Sequence, residues 1–357
     1  MTGNDQPSPS VARPDPSRPL RCGVVGVGRM GQLHARVYAN EPGCTLVGVV
    51  DANEKRRAEI ADKFGTRGFA DVGALLEAGV DAVSIAVPTV YHAAAAKPLL
   101  EAKVACLIEK PLAGDAATAR SIKDLAEKSG AVLMVGHIER FNPAMRAMRR
   151  ATENGLPVVP RFIEVSRVSP MTFRSVDVGV VMDMMIHDLD VVLMLMGGRE
   201  PDEIQAAGVS VLTEHEDICN ARLTFRRPEG ACVVNMTCSR LALKTERVTR
   251  ITGENAYIKI DYGARSGVII RRIANELQLA EMREQLRRGA DLTSLKWQEV
   301  LNAEPLIVDD GEPIVMELRA FLEAVRTGQR PPIDAEAGFV NVRTAERIVE
   351  AIAKGAG

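Results

Sequence analysis

Almost no net charge, no paired-cysteine motif, no long uninterrupted apolar run and no internal repeat are found in the 357 residues. Lysine and arginine number 45 against 47 aspartates and glutamates, a formal balance of −2. No basic field therefore draws the chain to nucleic acid or to an anionic membrane surface. Six cysteines (22, 44, 106, 219, 232 and 238) make no C-x-x-C pair and no metal-ligand spacing. Several lie in apolar, strand-like runs, where cysteine behaves as a small buried hydrophobe, so a reduced, cytoplasmic setting is expected. The most apolar stretch, from Val178 to Met196, is interrupted by aspartates and a histidine and reads as a buried helix, not a membrane span. Residues 1–19 carry five prolines and few large apolar side chains, so they read as a disordered tail that lacks the apolar stretch of a signal peptide. The composition that remains, 46% hydrophobic and 26% charged, is ordinary for a soluble globular protein, and the length suggests two domains.

The strongest local signal is a glycine turn. An apolar run from Cys22 to Val25 leads into Gly26-Val27-Gly28-Arg29-Met30-Gly31, and a helix-compatible run to Ala39 leads out. In a G-x-G-x-x-G turn one glycine makes the tight bend, one lets a pyrophosphate approach the backbone, and one lets helix and strand pack closely. The phosphate then sits on free N–H groups at a helix N-terminus. Twenty residues beyond Gly31, the β-type run Thr45–Val50 ends in Asp51. A carboxylate at that spacing accepts from the adenosine-ribose hydroxyls and repels a 2′-phosphate, favouring NAD over NADP. Arg56 and Arg57 are expected on the solvated face of a helix over 53–64.

The alternation continues with a near-continuous apolar strand from Val80 to Val87 that stops at Pro88-Thr89. A helix over 92–102, a strand Val104–Ile108, a helix over 115–129 and a strand Val132–Val135 follow, implying a doubly wound parallel sheet. Ligands of such sheets bind at the carboxyl ends of the strands. Those ends are Gly26–Gly31, Asp51, Pro88-Thr89, Glu109-Lys110-Pro111 and Gly136-His137. After residue 140 the pattern changes to a helix from Asn142-Pro143 to about Glu153, an apolar helix over 180–196, and strand-like runs at 162–168, 204–212, 218–225, 231–239, 248–251, 257–260 and 268–270. Short turns such as Arg227-Pro228-Glu229-Gly230 point to an open, largely antiparallel sheet. A polar helical excursion over 275–300 carries the only tryptophan, Trp297, and helices over 313–327 and 335–354 close the chain.

Two stretches carry chemistry. In Glu109-Lys110-Pro111 a lysine at a strand terminus, shielded from water beside a cofactor, has its ammonium form destabilised and can hold or relay a hydroxyl proton. The proline fixes the turn and restricts Lys110 toward extended backbone. The alternative is an ordinary surface lysine. In Met182-Asp183-Met184-Met185-Ile186-His187-Asp188-Leu189-Asp190, Asp183 and His187 stand at i and i+4, on one face of a helix and among large apolar neighbours. A histidine oriented by a carboxylate there suits a general base, unless the two merely satisfy each other in a core. Asp190 fits a structural role.

In combination, Gly26-x-Gly28-x-x-Gly31, Asp51, Glu109-Lys110-Pro111 and Asp183-x-x-x-His187 resemble, in order and spacing, the Gfo/Idh/MocA oxidoreductases. The likeness runs over about residues 20–355 and includes Glu317-Leu318-x-x-Phe321 before Gly328. It implies an α/β chain with an N-terminal NAD-binding Rossmann domain over 20–139. A C-terminal α/β domain with an open, mainly antiparallel sheet, for substrate binding and oligomerisation, follows over 140–357. It further implies a homo-oligomer, dimer or tetramer, and NAD as cofactor with NADP less favoured. The cofactor contacts implied are Gly26, Val27, Gly28, Arg29, Met30, Gly31, Asp51, Pro88, Thr89, His92, Glu109 and Lys110. Catalysis falls to Lys110, Asp183 and His187, with His187 the acid/base and no metal. Substrate contacts fall to Lys110, His137, Arg140, Asn142, Asp183 and His187.

The segment Gly136-His137-Ile138-Glu139-Arg140-Phe141-Asn142-Pro143 is similar to the G-H-x-E-R-F-N-P segment of the family's branch acting on UDP-N-acetylglucosamine. That likeness implies oxidation of the sugar 3-hydroxyl by hydride transfer to NAD. Arg140 then reaches a diphosphate or sugar oxygen and Asn142 reads a hydroxyl or acetamido group, unless Asn142 caps a helix that Pro143 opens. Arg161, Arg167, Arg174 and Arg240 are further candidates for the diphosphate. Inositol or free-sugar dehydrogenases, NAD-dependent glycoside hydrolases and dinucleotide-binding regulators of the same family remain alternatives. Retention of Lys110, Asp183 and His187 speaks against the regulator.

Overall fold

The structure is a computed structural model and describes residues 15, 18–153, 158–173, 176–293 and 295–355. The tail expected over 1–19 lies almost wholly outside the described residues, and so does Arg174. From the start, β1 (Leu20–Val25), α1 (Arg29–Asn40), β2 (Cys44–Val50), α2 (Glu54–Phe64), β3 (Arg67–Phe69) and α3 (Val72–Glu77) alternate. They are followed by β4 (Ala82–Ile85), α4 (His92–Glu101), β5 (Ala105–Glu109), α5 (Ala116–Ser129) and β6 (Leu133–Gly136). The six strands pair in parallel in the order 3-2-1-4-5-6, the doubly wound Rossmann arrangement. Every residue of β4 and β5 is buried, which is why those strands read as apolar runs. Asn53, Asp71 and Asp115 each accept the N–H three residues on, so that α2, α3 and α5 start on side-chain caps.

The chain then runs through α6 (Pro143–Glu153), β7 (Pro160–Val168), a π-helical turn at Val181–Met185, α7 (Ile186–Leu195), β8 (Glu203–Val209), β9 (Ile218–Phe225) and β10 (Cys232–Ser239). β11 (Glu246–Gly253), β12 (Ala256–Asp261), β13 (Ser266–Arg272), α8 (Glu276–Arg287), β14 (Leu301–Pro305), α9 (Pro313–Thr327) and α10 (Ala335–Gly355) complete it. The helical excursion expected over 275–300 shrinks to α8 and a single turn at Trp297–Glu299, and β14 follows as an unanticipated strand on the sheet edge. Four of the five β14 residues are exposed, so the alternation that marks a half-buried strand is absent from its sequence.

Two compact units result, and neither is contiguous in sequence. The first joins the Rossmann sheet to Val181–Glu200 and Gly311–Ala353. A boundary at 139/140 therefore leaves out α7, α9 and most of α10. These late helices belong with the first unit because they pack their apolar faces on its helical layer and on the turn after β6. The α9 side chains Ile314, Leu318, Phe321 and Leu322 are buried, and α9 packs on α1. The second unit, Asn142–Val180 with Pro201–Asp310, holds an eight-stranded sheet in the order 14-13-12-11-7-10-9-8. Every neighbouring pair is antiparallel except β7 with β10. Along β9 the buried Cys219, Ala221, Leu223 and Phe225 alternate with residues such as the exposed Asn220 and Arg222, the pattern of a sheet with one apolar face. Among the described residues no helix is long and apolar enough to cross a membrane, and all six cysteines are free.

One loop of the second unit is tied down by a single carboxylate. Asp217 accepts the N–H groups of Val211, Leu212 and Thr213 at 2.7, 2.5 and 3.1 Å and the Thr213 hydroxyl at 2.9 Å, and it pairs with Arg240 at 3.1 Å. Burial pushes its carboxyl up, but the donors of Leu212, Val211 and Thr213 outweigh burial and hold it at about 2. A depressed folded-state value stabilises above the ordinary carboxylate range and is lost as pH falls toward the folded value. Asp217→Asn should therefore lower Tm at neutral pH, and the gap to wild type should close as acid thermal scans approach pH about 2; a gap that stays constant with pH contradicts this assignment.

Candidate active site

The glycine turn is built for a phosphate. Gly26 adopts φ +83°, and its N–H donates to the Val50 carbonyl at 2.7 Å. A Cβ on Gly31 would stand 1.8 Å from the Gly26 oxygen, so the helix–strand contact admits no side chain there. A Cβ on Gly28 would meet nothing within 4 Å. Gly28 is also the N-cap of the twelve-residue α1, with no side-chain cap and no acidic residue in the first turn. Open space over uncapped N–H groups fits a dinucleotide pyrophosphate. At the end of β2, Asp51 accepts the Val27 N–H at 2.9 Å through Oδ2 and the Asn53 N–H at 2.8 Å through Oδ1. Each oxygen has a second lone pair, so acceptor capacity for ribose hydroxyls remains. Arg56 is exposed on α2 as expected, whereas Arg57 is partly buried. Arg57 donates to the Asp51 carbonyl at 2.8 Å, and Arg56 lies 3.6 Å from the carboxylate. A cleft of about 770 Å³ lined in part by Gly28, Arg29 and Arg56 opens beside the turn.

At the end of β5 the Lys110–Pro111 bond is cis. The Lys110 ammonium donates to the backbone carbonyl of Asp183 at 3.0 Å and lies 3.6 Å from its carboxylate Oδ1. Asp183 sits in the π-helical turn that precedes α7, not in a regular helix. A wide turn of this kind is a frequent functional-site device, and here it offers Lys110 a carbonyl as its nearest acceptor. His187 is half-buried in the first turn of α7. Lys110 and Asp183 are thus in contact, and His187 follows one turn on.

Several expected cofactor contacts turn inward instead. The Glu109 carboxylate is buried and takes the His34 Nε2–H at 2.9 Å. Burial pushes its carboxyl up, but His34 and the Lys110 charge more than offset this and hold it below the ordinary range. His92 is buried with Nε2 3.0 Å from the Val87 carbonyl and Nδ1 3.0 Å from that of Pro111. Buried between the loop after β4 and the E-K-P turn, the ring braces the two by packing and by one hydrogen bond at a time, because burial lowers its pKa and a neutral ring donates from one nitrogen only. Pro88 and Thr89 do lie at the β4 end, where Val90 and Tyr91 are 79% and 60% exposed.

The substrate expectations at the end of β6 are corrected most. Arg140 forks onto Asp190, Nε to Oδ2 at 2.7 Å and Nη2 to Oδ1 at 2.6 Å, and its Nη1 donates to the Pro332 carbonyl at 3.1 Å. A guanidinium committed in this way is not offered to a diphosphate. His137 is buried 4.0 Å from Asp190, and burial keeps it neutral despite that charge. Asn142 accepts the Ala144 N–H at 3.1 Å at the start of α6 and donates to the Tyr262 carbonyl at 3.3 Å. Its capping role is the one realised. In the second unit Arg161 pairs with Glu254, Arg240 with Asp217 and the Val178 carbonyl, and Arg167 is buried in β7. Arg140 and Asp190 together tie the end of β6 to α7, the helix that carries His187.

Residues 20–137 match the model of an oxidoreductase family with an NAD-binding Rossmann fold, and residues 163–259 match that of the Gfo/Idh/MocA C-terminal domain. The chain is an NAD-binding oxidoreductase of the kind that acts on CH–OH groups. It belongs to the Gfo/Idh/MocA family. It is 40% identical over 243 residues to the UDP-N-acetylglucosamine 3-dehydrogenase of Acidithiobacillus ferrooxidans, covering 68% of this chain and 74% of that one. A solved structure of an enzyme of that name and organism superposes with a TM-score of 0.80 at 34% identity, over 93% of this chain and 97% of the other. The myo-inositol 2-dehydrogenase of Thermotoga maritima is 26% identical over 330 residues, 89% and 92% of the two chains.

The two glycines separate folding from binding. Gly31→Ala should lower Tm by several degrees, since overpacking of this kind costs about 1–3 kcal/mol. Gly28→Ala should keep Tm and weaken NADH binding in a fluorescence titration. Equal effects of the two on Tm contradict the assignment of Gly28 to the phosphate.

Proposed function

We propose that the protein oxidises the 3-hydroxyl of UDP-N-acetylglucosamine or a closely related nucleotide sugar. The observation that carries this is the joint likeness to UDP-N-acetylglucosamine 3-dehydrogenase, in sequence at 40% identity and in fold at a TM-score of 0.80. The Lys110–Asp183 contact at the β5 end supports a dehydrogenase over a binding protein, because a sensor has no need of a proton-handling lysine there. NAD, when bound on the glycine turn and Asp51, supplies the hydride acceptor. Lys110, steadied by the Asp183 carbonyl and carboxylate, hydrogen-bonds the reacting hydroxyl oxygen and stabilises the negative charge that grows on it. His187 takes the hydroxyl proton as the carbon gives up its hydride, so the alcohol loses both hydrogens and becomes a ketone. Gly136–Pro143 contributes by fixing α7 through Arg140 and Asp190, not by touching the sugar. We further propose a reducing, cytoplasmic setting, in keeping with six free cysteines, and association of copies through the open eight-stranded sheet.

NADH formation across UDP-N-acetylglucosamine, other UDP-sugars, free sugars and myo-inositol tests the substrate, with a trap for the keto product. Turnover of myo-inositol or glucose with none of the nucleotide sugar would sink it in favour of a free-sugar or cyclitol enzyme. Release of free sugar without net NADH identifies a glycoside hydrolase. Lys110→Met and His187→Asn should each keep NADH binding while kcat falls about 10²–10⁴-fold, the usual value of a positioned acid/base. A kcat within a few-fold of wild type for His187→Asn makes that residue a core histidine. Asp51→Ala should weaken NAD binding and relax discrimination against NADP; unchanged selectivity removes Asp51 from the ribose site.

A further inference from the structure

Behind the E-K-P turn lies a carboxyl group that the mechanism above does not use. Glu317, on α9, is 0% exposed, and neither carboxylate oxygen has a hydrogen-bond partner among the described residues. One donor atom from each of Glu317, Glu109 and His34 lies within 4.8 Å of the others. The groups that face it come from each element packed there. α1 brings His34 and Tyr38, whose hydroxyl is engaged with Ser84 at 2.7 Å. β5 brings Glu109, and α7 brings Asp190, already paired with Arg140.

Two carboxylates so close, out of water and beside one imidazole, do not both stay ionised, because each unpaired buried charge is too costly. A metal is a poor answer to that cost. His34 Nε2 and Glu109 already share a direct 2.9 Å bond that a cation between them would have to break. A proton answers it while leaving the His34–Glu109 bond intact, and a small rotation or one buried water closes the remaining gap. Burial, with the charges of Glu109 and Asp190, drives the Glu317 carboxyl well above its ordinary range.

Glu109 is the group that matters for catalysis. Its carboxylate holds His34 and also accepts the backbone N–H of Lys110 at 3.3 Å. We infer that Glu317 is a positioning residue: as a neutral acid it shares its proton with Glu109, directly or through one water, and so fixes the turn from which Lys110 reaches Asp183. The inference rests on the assignment of Lys110 to proton handling, but its first test needs no substrate.

Infrared spectra of the 13C-glutamate-labelled protein at neutral pH should contain the C=O stretch of a protonated carboxyl, and Glu317→Gln should remove it. The Lys110 Cε resonance in 13C-lysine-labelled protein, assigned through Lys110→Met, should be unmoved in Glu317→Gln, whose amide still donates, and displaced in Glu317→Leu. On whichever sugar the wild type oxidises, kcat should fall about tenfold in Glu317→Leu, roughly the value of one buried hydrogen bond, with the KM for NAD unchanged. Absence of the carboxyl band from the wild type, or a stoichiometric metal in elemental analysis, overturns the inference. So does a Lys110 resonance that moves equally in both variants. Should Glu317→Leu not fold, the infrared band and the Lys110 resonance, each compared between wild type and Glu317→Gln, decide it. A wild type inert toward every sugar, with the carboxyl band and the unmoved Lys110 resonance intact, fails the substrate assignment and not this one.

Discussion

A lysine that hydrogen-bonds a reacting hydroxyl has to be held in place at the carboxyl end of a strand while its charge stays compatible with a largely apolar interior. In this protein the Lys110 ammonium meets that demand by reaching the carbonyl and carboxylate of Asp183 across a π-helical turn. Much of the surrounding unit can be understood as support for that contact. His92 clamps the turn from one side, Glu109 and His34 hold its backbone from beneath, and Arg140 with Asp190 anchors α7. Buried ionic groups of this sort are worth little as net stability, and removing one partner is expensive. Their use here is to specify one geometry.

The Rossmann sheet was legible in the sequence because parallel strands buried on both faces leave apolar runs and because glycine spacing is a direct consequence of backbone contact. Gly31 could be nothing else beside the Gly26 oxygen. Strands such as β9 and β10 were legible for a different reason, the two-residue alternation of a half-buried sheet. β3, with three residues, and β14, almost wholly exposed, carry neither pattern. The return of α7 and α9 to the first unit was invisible too, since an amphipathic helix declares that it has a partner but not which one.

The candidate site was legible in part. Residue type and spacing pointed to Lys110, Asp183 and His187, and the first two are in contact. The same reasoning offered Arg140, His137 and Asn142 to the substrate, whereas Arg140 is taken up by Asp190 and Asn142 by Tyr262 with the α6 N-terminus, and His137 is buried with its ring 4.0 Å from Asp190 and no hydrogen-bond partner among the described residues. A sequence shows that a polar side chain is present but not whether a complementary group many residues away has claimed it. Asp190, read as structural, is the residue that claims Arg140. The likeness of Gly136–Pro143 to one branch of the family therefore bears on substrate through the placement of α7.

The central claim is that hydride leaves the sugar carbon whose hydroxyl Lys110 holds, proposed to be C3. Incubating the enzyme with NAD and UDP-N-acetylglucosamine deuterated at C3 tests it most directly, with the NADH formed examined by mass spectrometry. The account predicts deuterium on the nicotinamide ring and slower turnover than with the unlabelled sugar. NADH formed without deuterium, at an unchanged rate, would contradict it.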